Sequence, residues 1–467
     1  MKKRFISISS CCFLGLFVFQ ACNNEEEEAF APSPSTVLTE FSDPTTELIT
    51  DWSNHWVSID QFTDGMRPNS VARSLAYIHL AGYETAVPFM DNHTSTTQRF
   101  DQFNVDLNQF EEDVDLNIAL NEAYGRTIDH FMIGLAPAAE QSILRFRDQK
   151  FRELSQGLSN TVIENSRRWG RYVASRVIDY SRTDNAGEEQ IRNQTPASYV
   201  APVGEGLWEA GENEDAWFPY WREVRTFIIS PDETSTTDFA SLLTYSVEST
   251  SDYYASMTEV YEMASDAMNG GDELLWIAEF WADDVEGLMI SPPGRQFSIA
   301  NQLIGQFDLS YAESLELLLK LGFAINDAAV SAWDDKYTYN TERPTNFINE
   351  HIDPNFTTNL ARFVVSPNPA FPSYPSGHAT FAGAAGGVFI DFFETDNINF
   401  TDRTYAGFDY VIAFNGSPRT FSSFSQMAYE NAFSRVPLGV HIQEDSQEGL
   451  RLGYEIADAV NALLISN

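Results

Sequence analysis

From residue 71 onward, apolar side chains recur at three- and four-residue intervals through most of the chain, while strand-like alternation is scarce and brief. That period gathers the apolar residues on one face of a helix, so the fold must be built by packing helix against helix. The pattern predicts helices over 71–81, 116–134, 140–181, 252–268, 271–285, 310–333, 378–394 and 441–464, the first behind a Pro68-Asn69-Ser70 start signal. Connections over 182–222 and 334–375 are long and carry Pro, Asn and Thr, and loops of that length tend to be functional. No internal repeat or composition shift marks a second domain. The expected fold class is therefore all-α, one large helical-bundle domain over 46–467.

The start of the chain reads as an address. Lys2, Lys3 and Arg4 precede an apolar stretch over 13–19 that ends at Gln20-Ala21-Cys22. This stretch falls well short of the roughly 20 residues that span a bilayer, so 1–21 is expected to be a cleaved export signal. A Cys directly after a small residue resembles a bacterial lipoprotein cleavage site, which implies acylation of Cys22. Residues 22–45, polar and opened by Asn23, Asn24 and four glutamates, then read as a flexible tether. The expected location is the bacterial cell envelope, outer membrane or cell surface, with the lipid as the one membrane attachment. Cys11, Cys12 and Cys22 are the only cysteines, so the exported part has neither disulfide nor thiolate chemistry.

Sixty-eight acidic residues against 28 basic give a net charge of -40, the wrong sign for nucleic acid or an anionic lipid surface. By the same arithmetic an anionic substrate looks disfavoured. Yet three segments concentrate cations and histidines. In Phe371-Pro-Ser-Tyr-Pro375-Ser376-Gly377-His378, a turn leads into a small-residue stretch over 382–387. A helix N-terminus there offers orphan N–H groups to an anion, Gly377 admits close approach, and His378 can move a proton. In Ser434-Arg435-Val-Pro437-Leu-Gly439-Val-His441-Ile-Gln-Glu-Asp445, the aspartate lies one helical turn beyond the histidine. It can take one imidazole N–H and leave the other nitrogen as nucleophile or ligand. In Trp333-Asp-Asp-Lys336 and onward to Arg343-Pro344, a Lys and an Arg bracket a loop after a helix. Singly, the first segment reads equally well as a plain cap, while the second reads better as a surface His–Asp pair and the third as two solvated cations. Jointly, three cations, an N–H nest and two histidines suit a compact tetrahedral oxyanion.

Lys336-x6-Arg343-Pro344, Pro375-Ser-Gly-His378 and Ser434-Arg435-x5-His441-x3-Asp445 resemble the three-part signature shared by vanadium-dependent haloperoxidases and type 2 phosphatidic acid phosphatases. The segment from Arg73 to Ala86 is similar to a helix near the start of bacterial haloperoxidase-like proteins. The resemblance implies the large helical bundle of that superfamily, with its active site in 333–445. In the haloperoxidase branch, Lys336, Arg343, Ser376, Gly377 and Arg435 would hold vanadate as cofactor and His441 would ligate the vanadium. His378 would be the acid–base group toward hydrogen peroxide, and halide would leave as hypohalous acid. In the phosphatase branch, His441 would form a phosphohistidine with a phosphate ester, His378 would protonate the leaving alcohol, and phosphate would take the place of vanadate.

The length of the chain and the positions of Trp333 and Phe371 favour the haloperoxidase. Aromatics at those two positions look like those bordering the halide side in vanadium chloroperoxidases, although ordinary core packing explains them equally well. Asp283 and Asp284 are candidate partners of Arg435, with a solvated helix end as the plainer reading. Tyr220 and Trp221 read as core, and the remaining histidines as packing or surface residues. A lipid-anchored binding protein without turnover is the third reading. The intact set of Lys, two Arg and two His speaks against it.

Overall fold

Short polar residues just ahead of apolar stretches start most of the helices. Asp43, Asp115, Ser159, Ser251, Ser291 and Ser376 each accept a backbone N–H of the turn that follows. The structure, a computed structural model, describes residues 41–63, 65–210, 215–285, 287–362, 368–406 and 415–466. The export segment, Cys22 and the tether up to residue 40 lie outside the described residues. Sixteen α-helices run through the described residues: α1 Pro44–Asp60, α2 Asn69–Ala86, α3 Leu116–Phe131, α4 Pro137–Leu154, α5 Asn160–Arg182, α6 Asn185–Arg192, α7 Phe239–Leu242, α8 Asp252–Met268, α9 Asp272–Phe280, α10 Pro292–Phe307, α11 Tyr311–Tyr339, α12 Pro344–His351, α13 Gly377–Phe392, α14 Phe424–Phe433, α15 Arg435–Leu438 and α16 Gln443–Asn461. The strands described are β1 Phe400–Asp402 and β2 Arg419–Phe421, an antiparallel pair with Phe400 opposite Phe421. No described helix is long and apolar enough to cross a membrane.

The all-α expectation holds, with differences that have local causes. The single helix expected over 140–181 is two, because Gly157 takes a left-handed φ of 79° between α4 and α5. Helix α10 lies outside the helices that the pattern predicts; behind the Ser291 cap, Pro292 and Pro293 occupy its first turn, where a missing N–H costs nothing. The long connections carry α6 and α12. The helix expected to end at 333 runs on to Tyr339 and stops at Asn340, which adopts a left-handed φ of 49°. Lys336 therefore stands on the last turns of α11 and not in a loop.

Helix α11 is the centre of the packing. From Leu317 to Trp333 its residues are buried on every side, and it packs against α2, α13 and α16. The small-residue stretch of α13 has a mechanical purpose. A Cβ added at Gly453 of α16 would lie 2.2 Å from the Thr380 carbonyl oxygen, and one at Gly449 would lie 2.4 Å from that of Ser376. Helices α13 and α16 thus touch backbone to backbone, which only glycine allows. The Ser376 N–H donates to the Asp445 carbonyl at 2.9 Å. That contact locks the starts of α13 and α16 together beside the end of α11, and the three signature segments meet there.

Candidate active site

Lys336 is fully buried, and its ammonium donates to three carbonyl oxygens: Pro372 at 3.0 Å, Ser373 at 2.7 Å and Pro375 at 2.6 Å. The Pro-rich approach to α13 supplies these acceptors because proline contributes a carbonyl with no competing N–H. All three ammonium hydrogens are engaged in this way, so Lys336 offers an anion its charge and a fixed carbonyl frame.

Arg343 caps the start of α12 with its side chain turned inward. Nε and Nη2 donate to the Phe371 carbonyl at 3.1 and 2.9 Å, while Nη1 donates to the Val440 carbonyl at 3.1 Å and to His441 Nε2 at 3.0 Å. Gly439, with φ 91°, ends the one-turn helix α15 and bends the chain so that Arg435 and His441 belong to the same pocket. Asp445 Oδ2 accepts from His441 Nδ1 at 2.9 Å, as the one-turn spacing anticipates. The pair is buried, which removes the surface reading of this segment. Ser373, which the motif spacing does not single out, donates from Oγ to Asp445 Oδ2 at 2.5 Å and lies 3.1 Å from His441 Nδ1.

Arg435 is fully buried and donates to the carbonyls of Trp281 and Ala282 at 3.1 and 3.3 Å and to Asp284 Oδ2 at 2.5 Å. His378 Nε2 lies 3.2 Å from the same Ala282 carbonyl and 3.8 Å from Asp284 Oδ1. The solvated-helix-end reading of Asp283 and Asp284 is thereby corrected. Helix α9 stops at Phe280, and the residues that follow turn back into the protein. Asp283, with φ 44°, is fully buried against Tyr405 at 2.5 Å and Arg295 at 3.4 Å. Asp284 faces the pocket.

Burial and mutual repulsion set the protonation states. Burial, then the Arg343 charge, pushes Lys336 well below its usual value, although Asp445 opposes this. Burial lowers Arg343 to about 10. Burial and then Arg343, Lys336 and Arg435 force the His441 value far down. His378 falls to about 3, through burial first and Arg435 second. Burial raises Asp445 to about 6 against the Ser373 hydrogen bond and the Lys336 charge. Burial would raise Asp284 too, but Arg435 and then His378 hold it below the ordinary carboxylate value. Such a site favours an incoming anion, which relieves the repulsion among Lys336, Arg343 and Arg435.

The residues present fit a tetrahedral oxyanion. Arg435 Nε is buried with no acceptor among the described residues. Ser376 Oγ caps Ala379 N at 3.4 Å and keeps its own proton to donate, and the Gly377 and His378 N–H groups precede the first intrahelical bond of α13. A Cβ at Gly377 would lie 3.1 Å from Trp333 Cζ3, so only glycine leaves this floor open. Trp333 is buried and Phe371 half-buried, with ring centroids 4.8 Å apart. The Lys336 ammonium stands 5.6 and 5.2 Å from these two rings. Elsewhere Trp221 is core while Tyr220 is 39% exposed, and His55 and His79 stack on Phe146 and Phe297.

A family model described as the VCPO second helical-bundle domain matches residues 316–466, the part of the chain that holds the signature. Over 215 residues, 36% of this chain, the sequence is 25% identical to the vanadium chloroperoxidase of Curvularia inaequalis. Over 164 residues, 34% of this chain, it is 33% identical to the vanadium-dependent bromoperoxidase of Ascophyllum nodosum. The matched stretches span only 35% and 26% of those two proteins. Similarity of fold reaches much further. The crystal structure titled as the first bacterial vanadium-dependent iodoperoxidase superposes with a TM-score of 0.76 at 24% identity, covering 90% of this chain and 98% of that one. A holo-type bacterial vanadium-dependent chloroperoxidase gives 0.62 at 14% identity, over 86% and 92% of the two chains.

Proposed function

We propose that the chain is a member of the vanadium haloperoxidase and type 2 phosphatidic acid phosphatase superfamily and, within it, a vanadate-dependent haloperoxidase that oxidises halide with hydrogen peroxide to hypohalous acid. The observation that carries the reading is the convergence of Lys336, Arg343, Arg435 and the His441–Asp445 pair on the start of α13. Vanadate would be held by Lys336, Arg343, Arg435, Ser376 and the Gly377 backbone, with His441 as the ligand to the metal. Bound there, it supplies a Lewis acid that activates peroxide toward halide without changing oxidation state.

The protein's own part is orientation and proton management. The Nδ1–H bond to Asp445 leaves the His441 Nε2 lone pair as the donor. The Ala282 carbonyl keeps the His378 proton on Nε2, so Nδ1 is its basic nitrogen. An anion beside His378 raises its depressed affinity for a proton and lets it take one up and return it. Trp333 and Phe371 would border the halide. The same cations would suit a transferring phosphoryl group, but the sequence likeness to a vanadium chloroperoxidase and a vanadium-dependent bromoperoxidase supports the first reading.

In phosphate-free buffer, the full chain loaded with orthovanadate should oxidise bromide or iodide with hydrogen peroxide, and His441→Ala should abolish this. Hydrolysis of p-nitrophenyl phosphate with no halide oxidation at saturating vanadate would transfer the protein to the phosphatase branch. We also propose export and acylation at Cys22. Metabolic labelling with a fatty-acid analogue should mark the wild type and not Cys22→Ser, and equal labelling of both would exclude that anchor.

A further inference from the structure

We propose that Ser373 is a positioning residue, whose hydroxyl fixes the ring of His441 and ties it to the Lys336 frame. The consequence for vanadate rests on the function proposed above; the consequence for the histidine ring does not.

Four polar contacts meet at this one buried residue. Its N–H donates to the Thr341 carbonyl at 3.1 Å, and its own carbonyl accepts from Lys336 Nζ at 2.7 Å. Its hydroxyl donates to Asp445 Oδ2 at 2.5 Å and lies 3.1 Å from His441 Nδ1. The proton assignments follow from what each group can do. An ionised carboxylate only accepts, so the hydroxyl hydrogen goes to Asp445. Ser373 Oγ then has only lone pairs to show the imidazole, and so does Asp445 Oδ2 at 2.9 Å from the same nitrogen. Nδ1 must carry the proton. At the far side of the ring the Arg343 guanidinium, which has no acceptor, lies 3.0 Å from Nε2, so Nε2 must be the lone pair. Both edges of the ring specify one tautomer.

Ser373 adds something that Asp445 alone does not. The carboxylate is free to rotate about its terminal bond unless a donor pins one oxygen, and the serine hydroxyl is that donor. Because the same residue's carbonyl is one of three that hold Lys336, the position of the ammonium and the direction of the His441 lone pair are set by a single short stretch of backbone. Outer partners of a metal-binding histidine typically contribute about 10- to 100-fold in affinity.

The test uses the full chain as wild type, Ser373→Ala, Ser373→Thr, Asp445→Asn and the Ser373→Ala/Asp445→Asn double variant. Ring ¹⁵N resonances of His441, assigned by their loss in His441→Ala, are recorded without oxyanion at about pH 8, where an ordinary imidazole is neutral. The wild type should show the Nδ1-protonated tautomer. Ser373→Ala should keep that tautomer, which Arg343 and Asp445 still specify, but with shifted and broadened ring resonances as the imidazole loses its fixed orientation, and Ser373→Thr should restore the wild-type signal. In parallel, orthovanadate affinity should fall about 10-fold in Ser373→Ala, with a much smaller further loss when Asp445 is already Asn. Near-ultraviolet circular dichroism checks folding. Should Ser373→Ala not fold, Ser373→Cys, with its weak donor, takes its place with the same expected losses. A folded variant with the wild-type ring signature overturns the proposal, and so do losses that simply add to those of Asp445→Asn. A wild type that binds no vanadate defeats the proposed function instead, and the ring signature still decides the role of Ser373.

Discussion

Replacing Arg435 by Ala separates two roles that the structure assigns to one side chain. The guanidinium is fully buried and balances Asp284 while it donates to the Trp281 and Ala282 carbonyls. Removing one partner of a buried pair costs about 3–5 kcal/mol, a large share of the roughly 5–15 kcal/mol that keeps a domain folded. The oxyanion loses a charged donor worth about 1.5–3 kcal/mol, which at about 1.4 kcal/mol per decade weakens binding about 10- to 100-fold. The stability loss should depend on pH with a definite sign. In the wild type Arg435 holds Asp284 below its ordinary value, so the pair contributes stability at neutral pH and loses it as pH falls through the acid range. Without Arg435, burial dominates and Asp284 is driven up, so the difference between variant and wild type is largest near neutrality and shrinks in acid. Adding Asp284→Asn removes the stranded carboxylate. The double variant should recover stability by at least about 1 kcal/mol while its oxyanion affinity stays low. Urea unfolding followed by tryptophan fluorescence and equilibrium titration with orthovanadate measure the two quantities. The reasoning fails if Arg435→Ala binds vanadate within about twofold of wild type, or if the double variant is no more stable than the single.

Two further outcomes follow from the same geometry. His378 is held at about 3 in the free pocket, and an anion raises that value, so binding takes up a proton and oxyanion affinity should strengthen as pH falls. Phosphate titrations across pH should therefore be steeper for wild type than for His378→Ala, and equal slopes would remove His378 from the proton-handling role. Gly377→Ala puts a methyl 3.1 Å from Trp333 Cζ3, and that ring is backed by Phe371 at 4.8 Å, so the indole must shift by a few tenths of an ångström. Halide turnover should fall while stability drops by only about 1–3 kcal/mol, and wild-type turnover in this variant would show that the floor of the pocket tolerates a side chain.

The parts of the site that could be read from the sequence are those whose spacing is local. Ser376, Gly377 and His378 are consecutive, and His441 and Asp445 are one turn apart, so helix geometry alone brings each group together. Lys336 was recognisable as a residue but misplaced as a loop residue, because nothing in its neighbourhood announces that Asn340 would take the left-handed cap. Asp284 is a candidate partner of Arg435 in the sequence, but the plainer solvated-helix-end reading prevails there for a different reason. It meets Arg435 across 151 positions, and with 68 acidic residues available no pattern says which one turns inward. Ser373 was hidden because a serine between prolines looks like any turn residue until Asp445 arrives from another helix. The same distinction resolves the charge paradox. A count of -40 describes mostly exposed carboxylates, whose influence solvent and salt screen within about 10 Å. The pocket is governed by three buried cations, two of them in hydrogen-bonding contact with the carbonyls and histidine that would face the anion, where screening is weak. An acidic protein can hold an oxyanion because net charge is a property of its surface and affinity a property of its interior.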